Sequence, residues 1–223
     1  MYINNLKKDL KAPKYDICSA GRSMIEMLGV LAIIAVLSVG GLAGYSKAMQ
    51  MWKSNIQKNA LTELMMTMIK IKPNLSRDMT DAVITDVLVG LGEIPEGMTV
   101  RNNSFYDKNN NSFYLAWGQK SDEKGRLTYR LYVNLIGQKG SKFITPETKE
   151  TCRNLILAAQ SVASEINYMY YWRNGTQSSY SKSFMNGNDL SAATISDIYK
   201  RCDIIMDDDA LTVTHFAIDF SVN

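Results

Sequence analysis

The chain has 223 residues, 46% of them hydrophobic and 21% charged, which excludes global disorder and leaves room for one core domain plus an anchoring segment. Its formal net charge is only +3, and Lys7, Lys8, Lys11 and Lys14 outweigh Asp9 and Asp16 before residue 21, so the remainder is nearly neutral. A nucleic-acid protein would instead show a concentrated basic face interleaved with aromatics.

The lysine-bearing start, residues 1–21, is polar, and an apolar run follows it. From Met27 to Ala43 there is no charged residue over 17 positions, and the uncharged stretch continues to Tyr45 before Lys47. That is just enough helix to span a bilayer. The basic residues upstream place the N-terminus on the cytoplasmic side, although Lys47, Lys53 and Lys58 beyond the run weaken this bias. A cleaved secretory signal and a simple signal anchor both account for such a pattern. Neither accounts for Glu26, a carboxylate at the mouth of the apolar run. An ionised side chain at mid-bilayer depth costs about 2.5–3.5 kcal/mol, less near the interface, so Glu26 calls for a counter-charge.

Gly21, Arg22 and Glu26, followed by MLGVLAIIAVLSVGGLAGY, resemble the signature of type IV prepilins. That signature is a basic leader ending in Gly, a cut after that Gly, and Glu as the fifth residue of the mature chain. The resemblance implies that a prepilin peptidase cuts between Gly21 and Arg22, and that Arg22 becomes the N-terminal, N-methylated residue. Glu26 would then act in assembly by neutralising the terminal ammonium of a neighbouring subunit, since a buried pair is tolerated where a lone buried charge is not. Arg22 departs from the apolar residue usual at that place, and its guanidinium offers Glu26 a second donor. Ala43 stands where many members carry Pro, while Gly40, Gly41 and Gly44 loosen the helix or let neighbours approach closely.

The fold implied is α+β and pilin-like: a long N-terminal helical spine packed on an antiparallel sheet with additional helices. Its divisions are a leader 1–21, a transmembrane and assembly segment 22–45, and an extracytoplasmic region 46–223. The long leader and the size of that region are nearest to the type IVb group. The partners implied are further copies in a helical filament, prepilin peptidase, the inner-membrane assembly machinery, the membrane before assembly, and a host or recipient cell surface. The precursor would lie in the bacterial inner membrane and the product in an extracellular pilus serving adhesion, aggregation or conjugative contact. Two other readings stay open: a type II secretion pseudopilin, and a secreted or anchored binding protein with an ordinary signal sequence.

Beyond the run, Tyr45, Met49, Trp52, Ile56, Ala60, Leu64, Met68 and Ile71 recur at three- or four-residue spacing until Pro73, predicting one helix over 23–72. At 1.5 Å per residue it is roughly 75 Å long. Met65, Met66 and Met68 read as core filling. A second helix is expected from Asp78 to Leu91, stopped by Gly92, after which the chain turns extended. Ser112–Trp117 and Leu127–Ile136 read as a hairpin, the second strand alternating through Leu127, Tyr129, Leu131, Val133 and Leu135. A third helix opens at Thr145 and Pro146, with Cys152, Leu155, Ile156, Ala159, Val162, Ala163 and Ile166 as its apolar stripe.

The polar stretch 173–189 is expected to be a surface loop, Ser191–Arg201 a short helix, and Leu211–Phe220 a last strand. If the leader is cut, Cys18 leaves and Cys152 and Cys202 remain, an even pair that an oxidising compartment would join. A free thiol pair or a metal site is the alternative, and the latter lacks nearby histidines. The single histidine, His215, supports no catalytic triad, and no GxSxG elbow occurs, so no enzyme is expected. Asp207, Asp208 and Asp209 could bind Ca²⁺ but lack the ligand ladder of an EF-hand, so no metal and no cofactor are assigned. The three Asn-x-Ser/Thr sites starting at Asn102, Asn110 and Asn174 read as surface loops.

Overall fold

The computed structural model describes residues 24–74, 85–118, 128–135, 146–174, 179–206 and 212–221. The chain divides into two compact units, Met1–Lys47 and Ala48–Asn223. One helix, α1 (Met24–Ile71), runs through the division. It ends where Pro73, which lacks an N–H and locks φ, turns Lys72–Asn74 into a single 3-10 turn.

Within the second unit, α1 buries Gln57, Ala60, Leu61, Leu64, Met65, Thr67, Met68 and Ile71, a stripe at helical spacing. The expected stripe therefore starts late, because Tyr45 is 65% and Trp52 48% exposed. Of the three clustered methionines, Met65 and Met68 are buried and Met66 faces outward, as their angular positions around a helix require.

Helix α2 (Thr85–Gly90) is the described part of the second expected helix, and residues 78–84 lie outside the described residues. Its stop is the one expected. Gly92 takes φ +77°, its N–H donates to Val89 O, and Glu93 N–H donates to Leu88 O. Together these form a Schellman turn that a residue with a Cβ would strain.

The sheet is wholly antiparallel, in the order β1 (Thr99–Arg101), β2 (Ser104–Tyr106), β3 (Ser112–Gly118), β4 (Thr128–Asn134), β7 (Thr212–Phe220), β5 (Ile166–Asn174), β6 (Ser179–Asn186). Strands β1 (Thr99–Arg101) and β2 (Ser104–Tyr106) are joined by Asn102 and Asn103 at φ 47° and 57°. This is the left-handed pair that a two-residue hairpin demands and that asparagine tolerates. Strands β3 (Ser112–Gly118) and β4 (Thr128–Asn134) make the expected hairpin, and Tyr129, Leu131 and Val133 are fully buried along it.

Helix α3 (Pro146–Gln160) begins at the expected proline, Thr145 lying outside the described residues. It is shorter than its apolar stripe. Ser161 and Val162 turn with three-residue hydrogen bonds to Ala158 and Ala159, Ala163–Glu165 form a 3-10 turn, and Ile166 opens a strand. The stripe residues are all buried regardless, so burial periodicity outlasts the helix that was expected to carry it.

The described part of 173–189 is not a loop. Residues 173–174 end β5 (Ile166–Asn174), which pairs antiparallel with β6 (Ser179–Asn186), and α4 (Gly187–Ala192) follows directly, while residues 175–178 lie outside the described residues. β6 reads as polar because it is an edge strand whose pairing comes from the β5 backbone rather than from apolar side chains. The expected single helix over 191–201 is likewise two, α4 and α5 (Ile195–Met206). Thr194 Oγ1 accepts from Asp197 N–H at 3.2 Å while Asp197 Oδ2 accepts from Thr194 N–H at 3.0 Å. This reciprocal capping starts a new helix.

The final strand, β7 (Thr212–Phe220), lies between β4 and β5 in the middle of the sheet. Phe216, Ile218 and Phe220 join Phe113, Leu115, Leu131 and Met169 in one core with Leu61, Leu64 and Met68 of α1 and Leu155, Ile156 and Ala159 of α3. The coarse α+β layout, a long apolar N-terminal helix with an antiparallel sheet and further helices, is therefore as expected.

Candidate assembly segment and the bridged unit

Glu26 lies in the first turn of α1, among exposed Met24, Ile25 and Met27. A carboxylate there is favoured by the positive end of the helix dipole, by about 0.3–1 kcal/mol at an exposed site. Gly21 and Arg22 lie outside the described residues.

From Met24 to Leu42 twelve large apolar side chains are more than half exposed, Val36 at 73% and Leu37 and Val39 each at 69%. Burying each one is worth about 1.5–3 kcal/mol. In water this segment therefore forgoes on the order of 20–35 kcal/mol, more than the net stability of most domains. By length and composition α1 is a helix able to cross a membrane. A Cβ built on Gly40, Gly41 or Gly44 meets nothing within 4 Å among the described residues, so the backbone is open to close approach there.

The second unit is locked by polar chemistry as well as by its core. Asp107, nearly buried, accepts Asn109 N–H at 2.9 Å and Asn111 N–H at 2.8 Å on one oxygen. Its other oxygen accepts Gln57 Nε2 at 2.5 Å and Asn111 Nδ2 at 2.8 Å. Gln57 in turn accepts Asn154 Nδ2 at 2.7 Å and donates to Thr151 Oγ1 at 3.1 Å. A satisfied network of this kind fixes the register of α1 against α3 and the 107–111 turn more narrowly than apolar packing does.

Cys152 of α3 and Cys202 of α5 form a disulfide, both residues fully buried, with Cα atoms 5.9 Å apart and a sequence separation of 50. Beside it the Arg153 guanidinium sits 4.2 Å over the Tyr199 ring and 2.9 Å from Asp203 Oδ1.

The sequence singled out neither of two features on the sheet face opposite the core. One is an aromatic row: Tyr114 stacks on Tyr132 at 4.7 Å, and Trp172 stacks on His215 at 4.6 Å. His215 is half-buried, and burial pushes its pKa below the usual imidazole value of 6.5. The other is an ion pair, in which the Arg130 guanidinium donates to both Asp219 oxygens, one bond measuring 2.7 Å, and to Tyr132 Oη at 3.1 Å. Burial works to lower the Arg130 pKa, and the hydrogen bond and charge of Asp219 more than reverse it. Opposite charges at paired positions of β4 and β7 were the available signal, but it is visible only once those strands are known to be neighbours.

Among the described residues no group of three His, Cys, Asp or Glu side chains is placed to hold a metal ion, and Asp207–Asp209 lie outside them. The chain matches no family model, no curated protein and no solved structure. What the segment does is therefore argued from its own chemistry.

Proposed function

We propose that the chain is a structural subunit of an extracellular filament of the type IV pilin kind, nearest the type IVb group, assembled through the first half of α1. In this reading prepilin peptidase cuts between Gly21 and Arg22, Arg22 carries the new N-terminal ammonium and its methyl group, and Glu26 takes the ammonium of a neighbouring copy as counter-charge. One observation carries it: directly after Glu26 in its first turn, α1 runs without a charged residue and with every side chain exposed as far as Ser46. A bilayer covers the apolar side chains before assembly, and neighbouring helices cover them afterwards. A cleaved secretory signal would need no Glu26.

N-terminal mass analysis of protein from membrane or sheared surface fractions is the first test. A chain starting at Arg22 is expected, whereas a start near Gly44 or Tyr45 indicates an ordinary signal sequence and removes the role given to Glu26. Glu26→Ala is expected to leave cleavage intact and to abolish incorporation into filaments, because the neighbour's buried ammonium would lose its partner. Normal filaments from that variant would end this reading.

A further inference from the structure

We propose that the groove between the open edge of β6 and helix α5 is a docking site for an extended, acidic polypeptide segment carrying an apolar side chain. The groove has a volume of about 470 Å³, with Tyr171, Phe184 and Ile205 lining its apolar part. Lys182, Lys200 and Arg201 line it from the strand and the helix, against the single carboxylate of Asp197. Three positive groups and one negative one give this small surface +2, in a chain that is nearly neutral beyond residue 21. Asp197 is also held by its capping role, Oδ2 accepting Thr194 Oγ1 at 2.6 Å, so it is tied to its own helix.

The strand side favours an extended partner. Among the described residues β6 pairs with β5 alone and ends the sheet, so its other edge presents backbone donors and acceptors. At Phe184 the register slips, Met169 facing Met185 and Tyr170 facing Ser183, which turns out one β6 residue as a bulge. The Phe184 carbonyl accepts Arg201 Nη1 at 2.5 Å, a bond that uses one of the five donors of that guanidinium and fixes it at the groove. Ile204, 75% exposed, stands beside this cationic surface. Charge sets the sign of the partner, and the apolar floor sets its anchor.

This inference does not depend on the filament reading. The test uses the full chain in nanodiscs of zwitterionic lipid and a fluorescein-labelled peptide alternating Glu with Val, read by fluorescence anisotropy. Saturable binding is expected, weakening as salt rises. The exposed pair Lys182→Glu and Lys200→Glu is expected to lower affinity at least roughly tenfold without moving the melting temperature. Equal binding of a peptide with Lys in place of Glu, or no binding, would overturn the proposal independently of how that variant folds. So would self-association of the chain through these lysines, or recruitment to phosphatidylglycerol vesicles without peptide binding.

Discussion

Arg130 and Asp219 face each other across β4 and β7 with side chains only 12% and 2% exposed. A buried pair is weak evidence of stabilisation, but removing one member leaves the other charged and desolvated. Asp219→Asn is expected to cost about 3 kcal/mol in urea denaturation, while Arg130→Met with Asp219→Leu recovers most of that loss. If the double variant is no better than the single one, the pair is doing something other than compensating its own burial. His215 acts through protonation. Its folded pKa lies below the unfolded 6.5, so the unfolded chain binds the proton more tightly. The stability it contributes is therefore full above about pH 6.5 and is lost as pH falls through the folded value. The melting temperature is expected to fall as pH drops below about 6.5, and His215→Phe, which keeps a ring against Trp172, should flatten that part of the profile.

Among the elements, α3 and α5 are joined covalently, and the closed loop between them contains the whole of strands β5 and β6 and of α4. The chain-entropy relation for a loop of this length gives about 4 kcal/mol, comparable to the margin of a small domain. Replacing Cys152 and Cys202 together by Ala should lower the unfolding free energy by roughly that amount, and reduction of the wild type should match it. A loss from the variant without a matching loss on reduction would assign the effect to packing at these buried positions. Element boundaries followed local chemistry where that chemistry was explicit. Pro73 ended α1, Gly92 ended α2 and Pro146 opened α3. The break between α4 and α5 was also written in the sequence, as Thr194 three residues before Asp197, a capping pair in a stretch that was expected to be one helix.

For the molecule as a whole, the two units make opposite demands on solvent. A fragment spanning 48–223 keeps the α1 residues Leu61, Leu64, Met65 and Met68 in the core and discards the exposed apolar run. It should be monomeric without detergent and unfold cooperatively. A fragment starting at 75 loses those core residues and should aggregate, and similar behaviour of the two would mean that α1 is dispensable to the second unit. The apolar run, the long helix, the β3–β4 hairpin and the last strand were legible from sequence because each depends on local periodicity or on turn chemistry within a few residues. The β5–β6 hairpin was not, since Val162, Ala163 and Ile166 continue a helical spacing that the backbone abandons at Gln160. Nor could the sequence place β7 between β4 and β5, and with it Arg130 beside Asp219 and His215 beside Trp172. Those pairings join residues tens of positions apart, and they are decided by which strands share one buried face, a property of the packed chain and not of any segment in it.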